Sequence, residues 1–272
     1  MPAAHNVLRT GTNGRLIIAA DFPATGRTVA SFADLFSGPD APLPAATVWE
    51  TAPPPVGGEV GMTGLDHVDR WLADVADPAR VCAVVAFCVG AVYAAVMAER
   101  LGPAGGVPLL LFDPERPDPD LLLRHYIAVI EGLAAVCSAD EQAAAMDAGW
   151  RARREQADTA RLGVVLGELF AEHGGPALRR TGLDERRRDE LFGTFSAFIG
   201  YLVAAADLDP LPAWRMATAV SSSTPHSGLN ALRPQQRAAL VPRELRFDAP
   251  HTSLLRDRRV ARACRDLLVG QA

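Results

Sequence analysis

A doubly wound α/β sheet is the fold class this 272-residue sequence predicts, and three observations predict it. VCAVVAF (81 to 87) and VPLLLFD (107 to 113) are continuous apolar runs of strand length separated by one helical segment, as in central parallel strands covered on both faces. RLIIAADF (15 to 22) reads as a buried strand, followed by the turn PATG and the helical pattern TVASFADLF. ATVWETAPPP (46 to 55) repeats the strand-then-breaker order and leads into DHVDRWLADVADP, an amphipathic helix with Val68, Trp71, Leu72 and Val75 on one face.

Between Asp118 and Asp207 the pattern changes to long helical stretches rich in alanine, leucine and arginine, with few strand signals. Strand signals return at WRMATAV and ELRFDAP, and RDRRVARACRDLLVG closes the chain as a helix. The expected organisation is therefore a core of residues 1–117 and 208–272 interrupted by a helical insertion, 118–207. Its apolar positions, among them Phe192, Phe195, Phe198 and Tyr201, read first as helix packing and second as the lining of an acyl tunnel. No internal repeat or low-complexity tract is present, and the Pro-rich stretches at 52–55 and 114–119 are short loop punctuation.

A formal net charge of −5 excludes nucleic acid as the main ligand, because phosphate binding needs a basic stripe. The segment MPAAHNVLRTGTNGR has no apolar run of signal length, and later runs fall short of the roughly 18 residues of a membrane span. A soluble, cytoplasmic protein without a membrane partner is expected. Cys82, Cys88, Cys137 and Cys264 show no C-x-x-C spacing and no histidine at metal-ligand spacing, so reduced thiols and no metal are expected.

The segment carrying chemistry is Ala86-Phe87-Cys88-Val89-Gly90, where an apolar strand turns without a linker into an alanine-rich helix. It occupies the place of the nucleophile elbow G-x-S-x-G, with alanine for the first glycine and cysteine for serine. A nucleophilic cysteine needs a base, since the thiolate is the reactive form. Among six histidines, His251 is best placed, after the last strand signal and before the closing helix. The base needs a carboxylate to fix its tautomer. Asp113 ends the strand after the elbow's helix; Asp248 is the rival, three residues before His251. Against this stand plainer readings: Cys88 as a small buried residue, His251 as a surface or capping group, and Asp113 as a turn residue before Pro114. Ser221-Ser222-Ser223 reads as a strand-end loop, without an elbow around any of its serines.

Taken together, four segments resemble the thioesterases of polyketide and nonribosomal peptide synthesis, which are α/β-hydrolases with a helical lid. FPATG (22 to 26) is similar to the family's first-strand loop, and AFCVGA (86 to 91) to its nucleophile motif. LLLFDPERP (109 to 117) is similar to its aspartate-bearing strand end, and PHTSLLRDRRVA (250 to 261) to its histidine segment. The resemblance implies Cys88 as nucleophile, His251 as base and Asp113 as its orienter, with backbone N–H groups of Ala24 and Val89 as oxyanion hole. Dienelactone hydrolases and polyester synthases also carry an elbow cysteine, but their aspartate is expected further along the chain.

The activity so implied is thioester hydrolysis or acyl transfer on an acyl or peptidyl chain held by the phosphopantetheine of a carrier protein, with no cofactor of the enzyme's own. A cysteine thioester intermediate stays activated, which gives weight to cyclisation or transfer beside hydrolysis. The chain reads as a freestanding enzyme whose partner is an acyl or peptidyl carrier protein. Arg151, Arg153 and Arg154, or Arg186, Arg187 and Arg188, could meet an acidic carrier, although such runs are more often solvated helix faces. The alternative from another class is a non-catalytic α/β-hydrolase-like protein that binds a carrier or other partner.

Overall fold

The computed structural model describes residues 3–23, 29–102 and 106–269. In chain order the elements are β1 (His5–Arg9), β2 (Leu16–Ala20), α1 (Phe32–Ser37), β3 (Thr47–Thr51), α2 (Gly64–Leu72), β4 (Val81–Phe87), α3 (Gly90–Leu101) and β5 (Leu109–Phe112). Then come α4 (Pro119–Gly132), α5 (Ala139–Glu155), α6 (Thr159–Arg180), α7 (Glu185–Ala206), α8 (Leu211–Trp214), β6 (Thr218–Ser221), α9 (Pro234–Leu240), β7 (Arg243–Arg246) and α10 (Arg258–Val269).

The strands form one seven-stranded sheet in the order β1-β3-β2-β4-β5-β6-β7. Every pairing is parallel except that of β1 with β3. Strands β2, β4 and β5 are the most apolar and lie innermost, as their unbroken Ile, Val and Leu runs require. Side chains alternate across β4: Ala83, Val85 and Phe87 join a core cluster with Ile17, Val48, Leu110 and Phe112. Phe32, Leu35 and Phe36 of α1 and Val260, Cys264 and Leu268 of α10 complete that cluster. Each such side chain contributes roughly 1.5–3 kcal/mol through removal from water.

The outer strands are built differently. β7, Arg-Glu-Leu-Arg, is largely exposed, and its charges oppose pairing with another chain's edge. β1 carries no strand signal in its sequence, because its apolar and polar residues do not alternate, and a register shift separates Val7 from Arg9. Arg9 anchors it: Nε donates to the carbonyl of Ala46 at 3.0 Å and an Nη to that of Leu43 at 2.6 Å. Of WRMATAV, where a strand signal returns, Trp214 ends α8, residues 215–217 turn the chain, and Thr218 begins β6. The short α8 turns the chain just before the strand.

The chain separates into two compact units: Met1–Pro53, Thr63–Arg116 and Leu208–Ala272 in one, Pro54–Met62 and Pro117–Asp207 in the other. The first holds the sheet. The second is helical and packs α4 on α5 and α6, and α6 on α7. Its four long helices all start on a capping side chain, Asp118, Ser138, Asp158 or Asp184, that accepts from a backbone N–H of the first turn. Phe170 packs on Phe195 at 4.4 Å and on Phe192 at 5.3 Å, and His125 meets Phe198 edge-on at 4.9 Å, so these aromatics serve helix packing. Pro54–Met62, which lies in the span expected for the core, packs with this helical unit.

Candidate active site

Strand β4 ends at Phe87 and α3 begins at Gly90, so Cys88 and Val89 make the whole turn. Such a turn forces the left-handed region: Cys88 has φ +51°. For a side chain other than glycine this costs on the order of 1–3 kcal/mol, and it persists only where the surroundings impose it. They do so here. The Cys88 N–H donates to the carbonyl of Phe112 at 2.9 Å, and its own carbonyl accepts from Ala91 N–H at 3.1 Å and Glu115 N–H at 3.3 Å. A Cβ on Gly90 would stand 2.1 Å from the carbonyl oxygen of Ala20, so the second small position of the elbow requires glycine. Ala86, at the first, is fully buried within β4 and pairs with Ala20 and Leu111.

One strand over, the chain makes a second left-handed step, at Asp113 with φ +42°. The Asp113 side chain is completely buried, and both carboxylate oxygens are used. Oδ1 accepts from Ser222 N–H at 2.8 Å, and Oδ2 lies 2.7 Å from Nδ1 of His251. That geometry assigns the Nδ1 proton to the bond with Asp113 and leaves Nε2 as the acceptor. His251 is held from three further directions. Its N–H donates to Thr224 Oγ1 at 2.7 Å, its ring stacks on Phe87 at 4.6 Å with 26° between planes, and Ser223 N–H donates to Ala249 just before it. The rival carboxylate, Asp248, is exposed.

The supporting residues were less visible in the sequence. Ser222 and Thr224 act from the loop after β6, which reads there only as strand-end punctuation. Gly228 has φ +54°, and a Cβ on it would stand 2.7 Å from the Asp113 backbone, so glycine lets the loop close over the carboxylate. The one available signal was the turn composition of Ser227-Gly228.

The thiol environment is acidic. Cys88 Sγ lies 3.7 Å from Oε2 of Glu115, and among the described residues it makes no hydrogen bond to His251. Burial pushes the Cys88 thiol well above its ordinary range, and the Glu115 carboxylate adds to the rise. Asp21 and Asp113 push the same way, while the Val89 N–H favours the thiolate. Val89 itself is buried at the start of α3, whereas Ala24 lies outside the described residues. Burial likewise raises the thiols of Cys82, Cys137 and Cys264, the last to about 12.

No cluster of metal-ligating side chains is present among the described residues, and no helix there is long and apolar enough to cross a membrane. Of the two arginine groups, Arg153 pairs with Asp120 at 2.7 Å, Arg186 and Arg187 pair with Glu190 at 3.1 Å, and Arg188 donates to the Leu183 carbonyl.

No protein-family model matches the chain, and no curated protein matches it in sequence. Solved structures do. A four-domain nonribosomal peptide synthetase bound to AMP and glycine aligns over 99% of this chain and 20% of its own, with TM-score 0.55 and 12% identity. A structure described among carboxylesterases of Nitrososphaera gargenis aligns over 99% of this chain and 95% of its own, with TM-score 0.51 and 11% identity. The Vlm2 thioesterase domain bound with a dodecadepsipeptide aligns over 97% and 96%, with TM-score 0.49 and 15% identity. The mainly parallel seven-stranded sheet and the first two of these likenesses give the chain the α/β-hydrolase fold.

Proposed function

We propose that the protein is a thioesterase or acyltransferase that releases an acyl or peptidyl chain from the phosphopantetheine of a carrier protein, through Cys88, His251 and Asp113. The observation that carries this reading is the pairing of two left-handed steps on adjacent strands. One presents a thiol on a strand-to-helix turn, and the other presents a buried carboxylate bonded to a histidine.

In the first half-reaction the thiol sulfur attacks the thioester carbonyl carbon, its proton passes to His251 Nε2, and the carbonyl π pair moves onto oxygen. The N–H of Val89, with that of Ala24 as its partner, receives the oxyanion. Collapse breaks the bond to the pantetheine sulfur, which leaves with the proton from the imidazolium. Asp113 keeps the imidazole in its working tautomer and stabilises the imidazolium without taking its proton. Exchange of one thioester for another is nearly neutral in free energy, so the acyl-cysteine remains open to water, an amine or an internal hydroxyl. Hydrolysis, cyclisation and transfer share this intermediate. The carrier protein and a cytoplasmic site of action belong to the same reading.

A second reading is favoured by one contact, that of the thiol with Glu115 in place of His251: a non-catalytic protein of this fold that binds a carrier or other partner. Intact-mass measurement after exposure to an acyl-pantetheine thioester separates the two. The enzyme reading expects one acyl adduct on Cys88, absent in Cys88→Ala. An unmodified wild type, or an equal adduct on the variant, overturns it.

A further inference from the structure

We propose that Glu115 is a positioning residue for the Cys88 thiol: its carboxylate accepts the S–H and keeps the sulfur protonated until a substrate thioester is seated. The role rests on the enzyme reading above and adds a residue to which neither composition nor chain order pointed.

Glu115 is bound to the elbow twice. Its N–H donates to the Cys88 carbonyl at 3.3 Å, and its Oε2 lies 3.7 Å from the sulfur, within reach of a thiol hydrogen bond. The backbone bond fixes the loop to the nucleophile's own residue, so the carboxylate keeps its station as long as the turn is intact. Among the described residues, the other charged or titratable groups facing the sulfur are Asp21 at the end of β2, Asp113 at the end of β5, and His251, whose Nδ1 is committed to Asp113. Asp21 is itself buried, its Oδ1 accepting from Phe22 N–H at 2.8 Å. A thiolate formed at rest would meet Glu115 first, and repulsion between unit charges at that separation is large compared with thermal energy at the effective dielectric of protein sites.

The resting state that follows is a protonated thiol on Glu115, in contrast to a preformed thiolate. When a thioester arrives, the sulfur swings from Glu115; the S–H proton passes to His251 Nε2 as the S–C bond forms, and the carbonyl π pair moves to oxygen. Glu115 gives up a hydrogen bond and takes no proton. A thiol held this way reacts with an electrophile that the site can orient and is slow toward small alkylating agents, which depend on the thiolate fraction.

The test is the pH dependence of iodoacetamide alkylation at Cys88, read by peptide mapping of the full chain between pH 6 and 10. Wild type is expected to alkylate more slowly than free cysteine at pH 7. Glu115→Gln keeps an acceptor oxygen and removes the charge, and should raise the pH 7 rate about tenfold and move the inflection to lower pH. Superimposed profiles for wild type and Glu115→Gln overturn the proposal. So does a wild-type thiol faster than free cysteine at pH 7, a result that needs no variant to fold. The acyl-adduct measurement is independent of both: loss of the adduct with a shifted alkylation profile would remove the enzyme reading and leave the Glu115 contact standing.

Discussion

The carboxyl edge of the sheet and the helical unit obey different rules. In Pro117–Asp207 the local sequence and the structure mostly agree, the exception being α6, which carries Pro176 in its interior. The long helices start on Asp or Ser caps, arginines pair with nearby acids, and aromatic side chains pack on one another. At the sheet edge, two non-glycine residues sit at positive φ, a carboxylate is fully buried, and a thiol lies among three acidic side chains. Strain and buried polar groups are unfavourable alone, so their concentration at one edge is what makes that edge the candidate site.

The largest effects should come from breaking the sheet edge. Asp113→Asn and His251→Ala are each expected to lower acyl transfer to Cys88 on the order of 10³-fold while leaving helix content unchanged, measured by adduct formation and circular dichroism. Equal rates in wild type and both variants would reduce the edge to a structural feature.

Gly228→Ala adds a Cβ at 2.7 Å from the Asp113 backbone at a residue with φ +54°, and should cost about 2–4 kcal/mol in urea denaturation. It should also slow acylation, because the loop holding Asp113 is displaced.

His67 offers a pH-dependent contrast away from the edge. It is buried between Trp71 and Tyr93, ring centroids 5.4 and 5.7 Å away, and burial lowers its pKa to about 4. Below pH 6.5 the unfolded chain binds a proton that the folded chain refuses. Stability present above pH 6.5 is therefore lost as pH falls toward 4, by up to about 3 kcal/mol. Burial lowers the His5 pKa as well, in the same sense. A His67→Phe variant should flatten part of this dependence in denaturation curves between pH 4 and 7.

The smallest effect belongs to the helical unit. Removing a cap, as in Ser138→Ala, should cost about 1 kcal/mol, and breaking the Arg153–Asp120 pair less than about 1 kcal/mol. Neither should alter the alkylation rate of Cys88. A coupled change would show that the two regions do not act independently.

These contrasts also explain what could be read in advance. β4, its turn and β5 were legible because unbroken β-branched runs ending in a small-residue junction have few other solutions. The helices of the insertion were legible from their alanine-, leucine- and arginine-rich composition, whereas their individual starts on Asp and Ser caps were not. β1 was hidden because its place depends on Arg9 reaching the carbonyls of Leu43 and Ala46, a long-range contact without local periodicity. Asp113 and His251 could be nominated from chain order, but Ser222, Thr224, Gly228 and Glu115 could not. Their roles lie in backbone hydrogen bonds or close approaches made across the fold.

The stacking of His251 on Phe87 has one more consequence. Phe87 is peptide-bonded to Cys88, so the residue that carries the sulfur and the residue that grips the imidazole are successive links of one strand. The stack thus serves as a ruler between the proposed nucleophile and base, beside the bonds to Asp113 and Thr224 that also place the ring. Exchanging sulfur for oxygen with Cys88→Ser leaves that ruler untouched, so the swap compares an acyl-thioester with an acyl-oxyester on the same scaffold and isolates what the element itself contributes to the fate of the bound chain.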